Sequence, residues 1–261
     1  MLEELAGDEM TPCPATSLDA PDTMVFHAQL ISKKKFLRKL YADYYAIFRE
    51  HLAPLATTSG LCIELGSGGG FLKEVLPHVI TSDVHTGPGI DRVIQADHLP
   101  YGIGEVKAIF LLNVFHHLSN PSNLLKEAER VLAPRGRLIM IEPFNSVWAR
   151  FFYKYLHHEP FDEKSPDWRQ EDKGRLSTSN QALAWIIFHR DRLIFEKKFP
   201  ALRIVSIKPH TVTRYLFSGG LSFRASAPAA TYSLFRLMDH VLERFEAFFP
   251  VFQTVVLEKR G

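Results

Sequence analysis

The sequence has few of the features that mark secreted, disulfide-stabilised or membrane-spanning proteins. It contains two cysteines, Cys13 and Cys62, among 261 residues, which is too few for a disulfide framework or a cysteine-based metal cluster. No apolar run approaches the roughly 18 residues that a membrane-spanning helix needs. The acidic start, Met1 to Asp8, has neither the basic region nor the apolar core of a signal peptide. These absences predict a protein of the reducing cytoplasm.

Strong net charge is also absent. The chain has 31 Lys and Arg against 29 Asp and Glu, a formal charge of +2, which argues against nucleic acid as the main partner. One local exception is the basic stretch formed by Lys33, Lys34, Lys35, Arg38 and Lys39. Such a stretch is either a solvated helix face or a surface for anionic lipid, phosphate or nucleic acid, and the sequence leaves both readings open.

The first 23 residues differ in composition from the rest. They carry three prolines and no sustained apolar period, so 1–23 is predicted to be a mobile leader, followed by a single domain over 24–261. Apolar residues at helical spacing then predict a helix from about Gln29 to Leu52.

Strand-like and helix-like segments alternate over residues 60–143, the predicted core. Short apolar strands separated by helices indicate a parallel sheet covered on both faces. The predicted strands and helices of this core are Leu61–Leu65, Phe71–Leu76 (helix), His78–Asp83, Arg92–Ile94, Val106–Asn113, Pro121–Leu132 (helix) and Arg137–Glu142.

The alternation breaks after this core. Segments 144–200 and 211–250 are too long to be plain connections, so they are predicted to be insertions that form a helical cap. Segments 201–210 and 251–261 return to the core. The predicted elements here are helices at Asn180–His189 and Tyr232–Phe248, and strands at Leu202–Ile207 and Val251–Leu257.

A glycine-dense turn follows the first predicted strand, at Gly66, Gly68, Gly69 and Gly70. Glycine allows a sharp turn and a closer ligand approach than any Cβ would permit. The helix that follows would direct free N–H groups at an anion. A dinucleotide-binding fingerprint would need a small residue where Phe71 stands, so this turn is not of that kind.

The pattern Glu64-x-Gly66-x-Gly68-x-Gly70 resembles the first motif of class I S-adenosylmethionine-dependent methyltransferases, of the small-molecule, type 11-like group. The resemblance continues in order over roughly Gly60 to Pro143. It implies an α/β fold: a Rossmann-like, seven-stranded, mostly parallel sheet with helices on both faces, here with the added helical cap. It also implies S-adenosylmethionine as cofactor, its methionine end wrapped by the loop that includes Glu64, Gly66, Ser67, Gly68 and Gly70.

Three later segments complete the cofactor site that the resemblance implies. Asp83 ends the second strand, where a carboxylate can accept hydrogen bonds from both ribose hydroxyls. It could instead be a turn residue, with Asp91 taking the ribose role. Asp97 would accept from the adenine amino group, and the His98 N–H would reach a ring nitrogen. Asn113, at the end of the fourth strand, would lie near the sulfonium.

Candidate catalytic groups stand at two strand ends. His116 and His117 follow the fourth strand, and a neutral imidazole can take a proton near pH 7. Glu142 ends the fifth strand, where it would deprotonate or orient the acceptor, or hold the mouth of the site by hydrogen bonds. The cap adds further base candidates, His157, His158 and Glu159. No metal site is predicted, since neither cysteine nor carboxylate lies at ligand spacing beside the paired histidines.

Aromatic residues suggest what the site accepts. Tyr41, Tyr44 and Tyr45 would close over the cofactor or pack in the core. The cap is rich in Phe, so we expect a small-molecule acceptor that is lipophilic or linked to a lipid or carrier, with the methylated atom (O, C or N) unresolved. Amphipathic stripes in the cap leave open a peripheral membrane contact or a homodimer.

Two other functions compete with methyl transfer. A chain with this fold could bind the cofactor as a non-catalytic scaffold subunit, because binding does not require turnover. A nicotinamide dehydrogenase is disfavoured by Phe71 in the loop and by the segment around Asp97.

Overall fold

A computed structural model describes residues 19–20, 22–174, 176–221 and 227–261. Its centre is a seven-stranded sheet with the strand order β3-β2-β1-β4-β5-β7-β6. The strands are β1 Leu61–Glu64, β2 Val79–Asp83, β3 Arg92–Val93, β4 Val106–Leu112, β5 Leu132–Pro143, β6 Leu202–His210 and β7 Phe252–Lys259.

The sheet is mostly parallel, as predicted. Strands β1 to β5 pair in parallel, and β7 lies antiparallel between β5 and β6. The chain moves outward from β1 to β3 and then returns to the other side of β1 as β4. This reversal places the carboxyl ends of β1, β2 and β4 around one crevice, which is where open α/β sheets bind ligands.

Both faces of the central strands are covered. Ile109, Phe110 and Leu111 are consecutive in β4 and are all fully buried. Because successive side chains of a strand point to opposite faces, burial of all three requires a layer on each side. On one face, the ring of Phe110 packs against Phe48 with 5.1 Å between ring centroids.

The helices supply these layers and the cap. They are α1 Asp22–Lys33, α2 Lys35–Leu52, α3 Leu72–Val75, α4 Pro121–Val131, α5 Val147–Tyr155, α6 Leu183–Trp185, α7 Arg192–Lys198, α8 Thr213–Ser218 and α9 Tyr232–Leu242. A π-helical turn, Ile186–Arg190, joins α6 to α7.

The N-terminal helical region differs from the prediction in two ways. The helix expected over Gln29–Leu52 is two helices, since the chain leaves helical geometry at Lys34 with φ −78° and ψ 83°. Helix α1 begins at Asp22, so the end of the predicted leader is already helical. The remainder of that leader, residues 1–18 and Pro21, lies outside the described residues, as does Cys13.

Two other predicted helices are too long. Helix α3 has four residues in place of the expected Phe71–Leu76. Helix α9 ends at Leu242 and not at Phe248. The chain after α9 turns so that the carbonyl groups of Ala247 and Phe248 accept hydrogen bonds from the N–H groups of Val147 and Trp148. These bonds satisfy free N–H groups at the start of α5.

The basic stretch is largely bound to the chain itself. The Lys34 Nζ donates to the Gly220 carbonyl at 2.9 Å, and burial lowers the pKa of Lys34 to about 8. Lys39 donates to the Ala229 carbonyl, and Arg38 pairs with Glu74 at 2.6 Å. These contacts tie α2 to the cap and to α3, so three of the five charges serve packing.

A buried ionic cluster fixes the cap on α2. Arg214 in α8 is 8% exposed and contacts Asp239 of α9 at 2.7 Å, while its Nη1 reaches Asp43 of α2 at 2.5 Å. Asp239 is fully buried and also accepts from the N–H and hydroxyl of Thr213. The cluster therefore joins three helices, of which α2 and α8 line the crevice described below.

The outer face of the cap is apolar. Exposed hydrophobic side chains follow α5 and the α9 region: Val147, Phe151, Tyr155, Leu156, Leu234, Leu237, Met238, Val241, Phe245 and Phe248. The expected membrane contact and homodimer stay predictions. Among the described residues, none of the helices combines the length and hydrophobicity needed to cross a bilayer.

We expect Arg214→Met to lower the free energy of unfolding by about 3–5 kcal/mol, because it leaves the buried Asp239 carboxylate without its cation. Urea unfolding measures this change. The matched control is Arg236→Met, since Arg236 is 67% exposed and lies 4.0 Å from Asp43. Its effect should stay below about 1 kcal/mol. Equal effects of the two substitutions would show that the cluster does not anchor the cap.

Candidate functional site

One cavity of about 730 Å³ opens at the carboxyl ends of β1, β2 and β4. The glycine loop and the end of β2 form one side, and the turn after β4 and the cap form the other. Ten of the predicted site residues line it: Glu64, Gly66, Ser67, Gly68, Gly70, Asp83, Asp97, Asn113, His116 and His117. His98 and Glu142 are not among its lining residues.

The glycine loop contains one position that faces open space. Gly68 has φ +51°, and a Cβ added there would meet only the Gly66 carbonyl oxygen at 3.9 Å. Gly66 also has a positive φ, of +66°, but a Cβ there would collide with the side chain of Val114. Gly66 is thus required by packing, whereas Gly68 leaves room on the cavity side.

Asp83 holds the loop in place. Its side chain is almost fully buried, and its carboxylate accepts from the N–H of Gly68 at 3.0 Å and from the N–H of Val84 at 2.8 Å. Asp91 does not line the cavity; it pairs with Lys73 at 2.5 Å and accepts from the N–H of Thr81. The carboxylate at the crevice is therefore that of Asp83.

Three buried oxygens of cavity-lining residues have no hydrogen-bond partner in the part of the chain that is described. They are the hydroxyl of Tyr44, Oε2 of Glu64 and Oδ1 of Asn113. Burial and the charge of Asp83 raise the pKa of Glu64 to about 7, although a hydrogen bond from Ser67 acts in the opposite direction. Asn113 also adopts a positive φ of 56°, which is costly for a residue other than glycine. Unpaired buried acceptors and backbone strain are typical of ligand sites.

The predicted adenine segment is only partly at the cavity. Asp97 lines it and is exposed. The N–H of His98 donates to the Gln95 carbonyl at 3.1 Å, so that N–H is already used within the turn. The structure therefore does not bring His98 to the site as expected.

The three tyrosines of α2 all line the cavity. Tyr45 is also a packing residue, because its hydroxyl accepts from the N–H of Phe71 at 3.2 Å, and its ring meets the Phe71 ring edge-on. Tyr41 is only partly buried and lies over the face of Phe71. Packing and cavity lining are thus combined in the same side chains.

Glu142 lies behind the cavity wall. Its carboxylate is fully buried and accepts from the N–H groups of Val114, Phe115 and His116 at 2.9, 2.8 and 3.3 Å. It also contacts Nδ1 of His116 at 2.6 Å. With both oxygens bound in this way, Glu142 cannot reach an acceptor directly, and it orients His116 instead.

His116 lies between two carboxylates. Its Nε2 is 3.4 Å from Oε2 of Glu159, opposite the contact of its Nδ1 with Glu142. Burial alone would lower the pKa of His116, but the two carboxylates outweigh burial and raise that pKa to about 9. The same contact keeps the pKa of Glu159 well below its usual range, although burial acts in the opposite direction.

His117 has the opposite character. Burial and the neighbouring His116 lower the pKa of His117 to about 4, so its imidazole is neutral at pH 7. Its Nδ1 is 2.9 Å from the Thr178 carbonyl. A carbonyl only accepts, so Nδ1 carries the proton and the lone pair of Nε2 is free on the cavity side. Neutral His117 can therefore accept a proton, whereas protonated His116 cannot.

The sequence gives no site role to Gln181 and Tyr215, which line the cavity, or to Thr178, which contacts His117 from behind. Gln181 donates to Glu159 and lies 3.3 Å from Nε2 of His116. Glu159, a base candidate in the sequence, completes a group of three metal-ligating side chains with His116 and His117. Nothing in the sequence spacing brings these cap residues to the β4 turn.

The described residues fit a sulfonium nucleoside. The space beside Gly68 admits a close ligand, Asp83 presents a carboxylate at the end of β2, and the unpaired oxygens of Glu64 and Asn113 can accept hydrogen bonds. On the other side of the same cavity, neutral His117 provides a proton acceptor.

We expect Glu64→Gln to raise the free energy of unfolding of the ligand-free protein by about 3 kcal/mol at pH 8. The pKa of Glu64 is about 7 in the folded protein and 4.5 in an ordinary carboxyl group. Between these pH values the native state binds a proton that the unfolded state has released, so the wild type loses stability as the pH rises from 4.5 to 7. Below pH 4.5 the two proteins should be equally stable. Urea unfolding at both pH values measures this, with the exposed Glu74→Gln as control. Equal stability at pH 8 would contradict the expectation.

Comparisons with known proteins agree with this geometry. Residues 63–140 match the methyltransferase domain family. A S-adenosylmethionine-dependent methyltransferase from Archaeoglobus fulgidus has a similar structure, with a TM-score of 0.51 and 13% identity over 84% of this chain and 94% of that one. Phosphoethanolamine N-methyltransferase 2 from Haemonchus contortus, solved with S-adenosyl-L-methionine, is also similar, with a TM-score of 0.52 and 10% identity. The match covers 94% of this chain and 59% of that one.

A geranyl diphosphate C-methyltransferase from Streptomyces coelicolor A3(2) gives a TM-score of 0.47 and 16% identity over 96% of this chain and 91% of that one. No curated protein sequence matches this chain. At these identities the solved structures establish the fold. The matched segment, residues 63–140, contains the glycine loop and the ends of β1, β2 and β4, and this part of the chain is similar to the methyltransferase domain family.

Proposed function

We propose that this protein binds S-adenosylmethionine and transfers its methyl group to a small, lipophilic or lipid- or carrier-linked acceptor. The observation that carries the proposal is the single cavity in which the two halves of such a reaction meet. The glycine loop, Glu64, Asp83 and Asn113 line one side, and His117, Glu159 and the apolar cap line the other.

The cofactor supplies a methyl group that its sulfonium has already activated, so the protein's task is alignment and exclusion of water. Asp83 fixes the loop beside Gly68, and Asp97 stands at the same wall. Tyr41, Tyr44 and Tyr45 close this end with aromatic rings. Neutral His117 can take a proton from an acceptor hydroxyl or amine at its Nε2.

The acceptor side favours an apolar molecule with a polar reacting end. The cavity wall includes the apolar side chains of Ile31, Leu37, Leu221 and Phe252. Tyr215 of α8 lines the cavity and packs edge-on against Phe152 of α5, so the cavity wall contacts one of the helices that carry the outer apolar face. The polar groups of this side, His117 and Glu159, are grouped at one place near the β4 turn. Such a division is typical of sites that orient an apolar ligand through a few polar contacts.

Methyl transfer is tested with cofactor that carries a tritiated methyl group and with cell extract separated into organic and aqueous fractions. We expect label to pass to a compound of the organic fraction. Gly68→Ala should abolish transfer, because its Cβ would occupy the cofactor's space. Gly104→Ala is the matched control, since Gly104 has a similar φ of +75° and free space around it but lies away from the cavity.

The outcomes distinguish the alternatives. Label confined to aqueous products would contradict the lipophilic acceptor. Binding of S-adenosylhomocysteine without transfer to any fraction would favour the non-catalytic scaffold subunit.

We expect Asp83→Ala to weaken the binding of S-adenosylhomocysteine by about 1–3 kcal/mol, or roughly 5- to 150-fold, because hydrogen bonds to a charged group are lost and the glycine loop loses its anchor. Isothermal titration calorimetry measures this affinity. Asp91→Ala is the control, since Asp91 lies outside the cavity and pairs with Lys73 at the surface. An unchanged affinity in Asp83→Ala with a loss in Asp91→Ala would transfer the ribose role to Asp91.

A further inference from the structure

We propose that His116, His117 and Glu159 form a binding site for a divalent transition-metal ion, with the open coordination positions facing the cavity. The three side chains come from the turn after β4 and from the cap, and one ligand atom of each lies within 4.8 Å of the other two. Two imidazoles and one carboxylate are a donor set that zinc and non-haem iron use when the metal keeps free positions for a substrate.

The distances suit a small cation. Oε2 of Glu159 is 3.4 Å from Nε2 of His116 and 4.0 Å from Nε2 of His117. Metal–ligand bonds of about 2.0–2.2 Å place neighbouring ligand atoms roughly 3–4 Å apart. The two distances from Glu159 are therefore those expected of side chains that share one ion.

The Nδ1 atoms of both histidines are held as they are in metal-binding sites. Nδ1 of His116 contacts the carboxylate of Glu142 at 2.6 Å, and Nδ1 of His117 contacts the Thr178 carbonyl at 2.9 Å. Metal-binding histidines hold their second nitrogen in just these two ways, through a carboxylate or a backbone carbonyl. Both contacts fix a proton on Nδ1 and leave Nε2 as the nitrogen that an ion would bind. Glu142 is thus a positioning residue of the proposed site.

Gln181 borders the same group. Its Nε2 lies 3.3 Å from Nε2 of His116 and donates to Oε2 of Glu159. This hydrogen bond holds the Glu159 carboxylate beside His116, as a shared site for one ion requires.

The role of the ion rests on the proposed function. With an ion bound, Nε2 of His117 is a ligand and no longer accepts a proton. The ion would instead bind an oxygen of the acceptor, position that oxygen and lower its pKa, and so replace the proton acceptor of the metal-free protein. The existence of the site does not depend on methyl transfer, so the two are tested separately.

The test uses the full-length protein after dialysis against a chelator. Titration with Co²⁺ is followed by visible absorption, and titration with Zn²⁺ by calorimetry. We expect one Co²⁺ per chain, with the absorption bands of a bound ion, and displacement by Zn²⁺. Glu159→Gln should weaken Co²⁺ binding at least about tenfold, and Glu142→Gln by about 10–100-fold.

Glu163→Gln is the matched control, because Glu163 is a cap carboxylate that pairs with Lys154 at 2.9 Å, outside the proposed site. It should bind Co²⁺ as the wild type does. Binding of S-adenosylhomocysteine by each variant shows that it is folded. Absence of both Co²⁺ absorption and Zn²⁺ heat in the wild type, or unchanged Co²⁺ affinity in Glu159→Gln, would overturn the proposal. Co²⁺ binding without binding of S-adenosylhomocysteine would support the metal site while refuting the proposed function.

Discussion

The site depends on one buried carboxylate, that of Glu142. It ends β5 and accepts three consecutive backbone N–H groups from the turn after β4. Those N–H groups begin a 3₁₀ turn, Phe115–His117, and would otherwise be unpaired in the protein interior. Removing a carboxylate from water costs several kcal/mol. Hydrogen bonds to a charged group contribute about 1.5–3 kcal/mol each, so the four donors around Glu142 offset that cost.

The Glu142 carboxylate is also connected to the cap through His116 and Glu159. Because Glu142 fixes one side of the His116 ring, the other side must point at Glu159. Glu159 is in turn held by Ser179 and Gln181. This chain of contacts joins the sheet to the cap across the cavity and gives the two adjacent histidines opposite proton affinities. The sequence shows two equal neighbours, but their surroundings make one a cation and the other a neutral base.

Much of the sheet was predictable because its signals are local. Apolar strands, the glycine turn and Asp83 at the end of β2 each depend on a few adjacent residues, and the structure confirms the strands to within a few positions. The helix break falls at Lys34, whose side chain donates to the carbonyl of Gly220, 186 residues away, and no local sequence pattern predicts it. The approach of Glu159 to His116 is likewise set by the path of the cap. Catalytic roles for His116, His117 and Glu142 remain predictions.

The glycine motif shows why a pattern of residues does not by itself define a ligand site. Three alternate glycines appear equivalent in the sequence, yet they meet different surroundings. A Cβ at Gly66 would strike Val114, and a Cβ at Gly70 would strike the hydroxyl of Tyr45. Both positions are therefore constrained by the protein's own packing. At Gly68 the space is open on the cavity side, so its lack of a side chain serves the ligand. A substitution at Gly66 or Gly70 would disturb the fold and the ligand together, whereas one at Gly68 acts on the ligand alone apart from the strain of a positive φ.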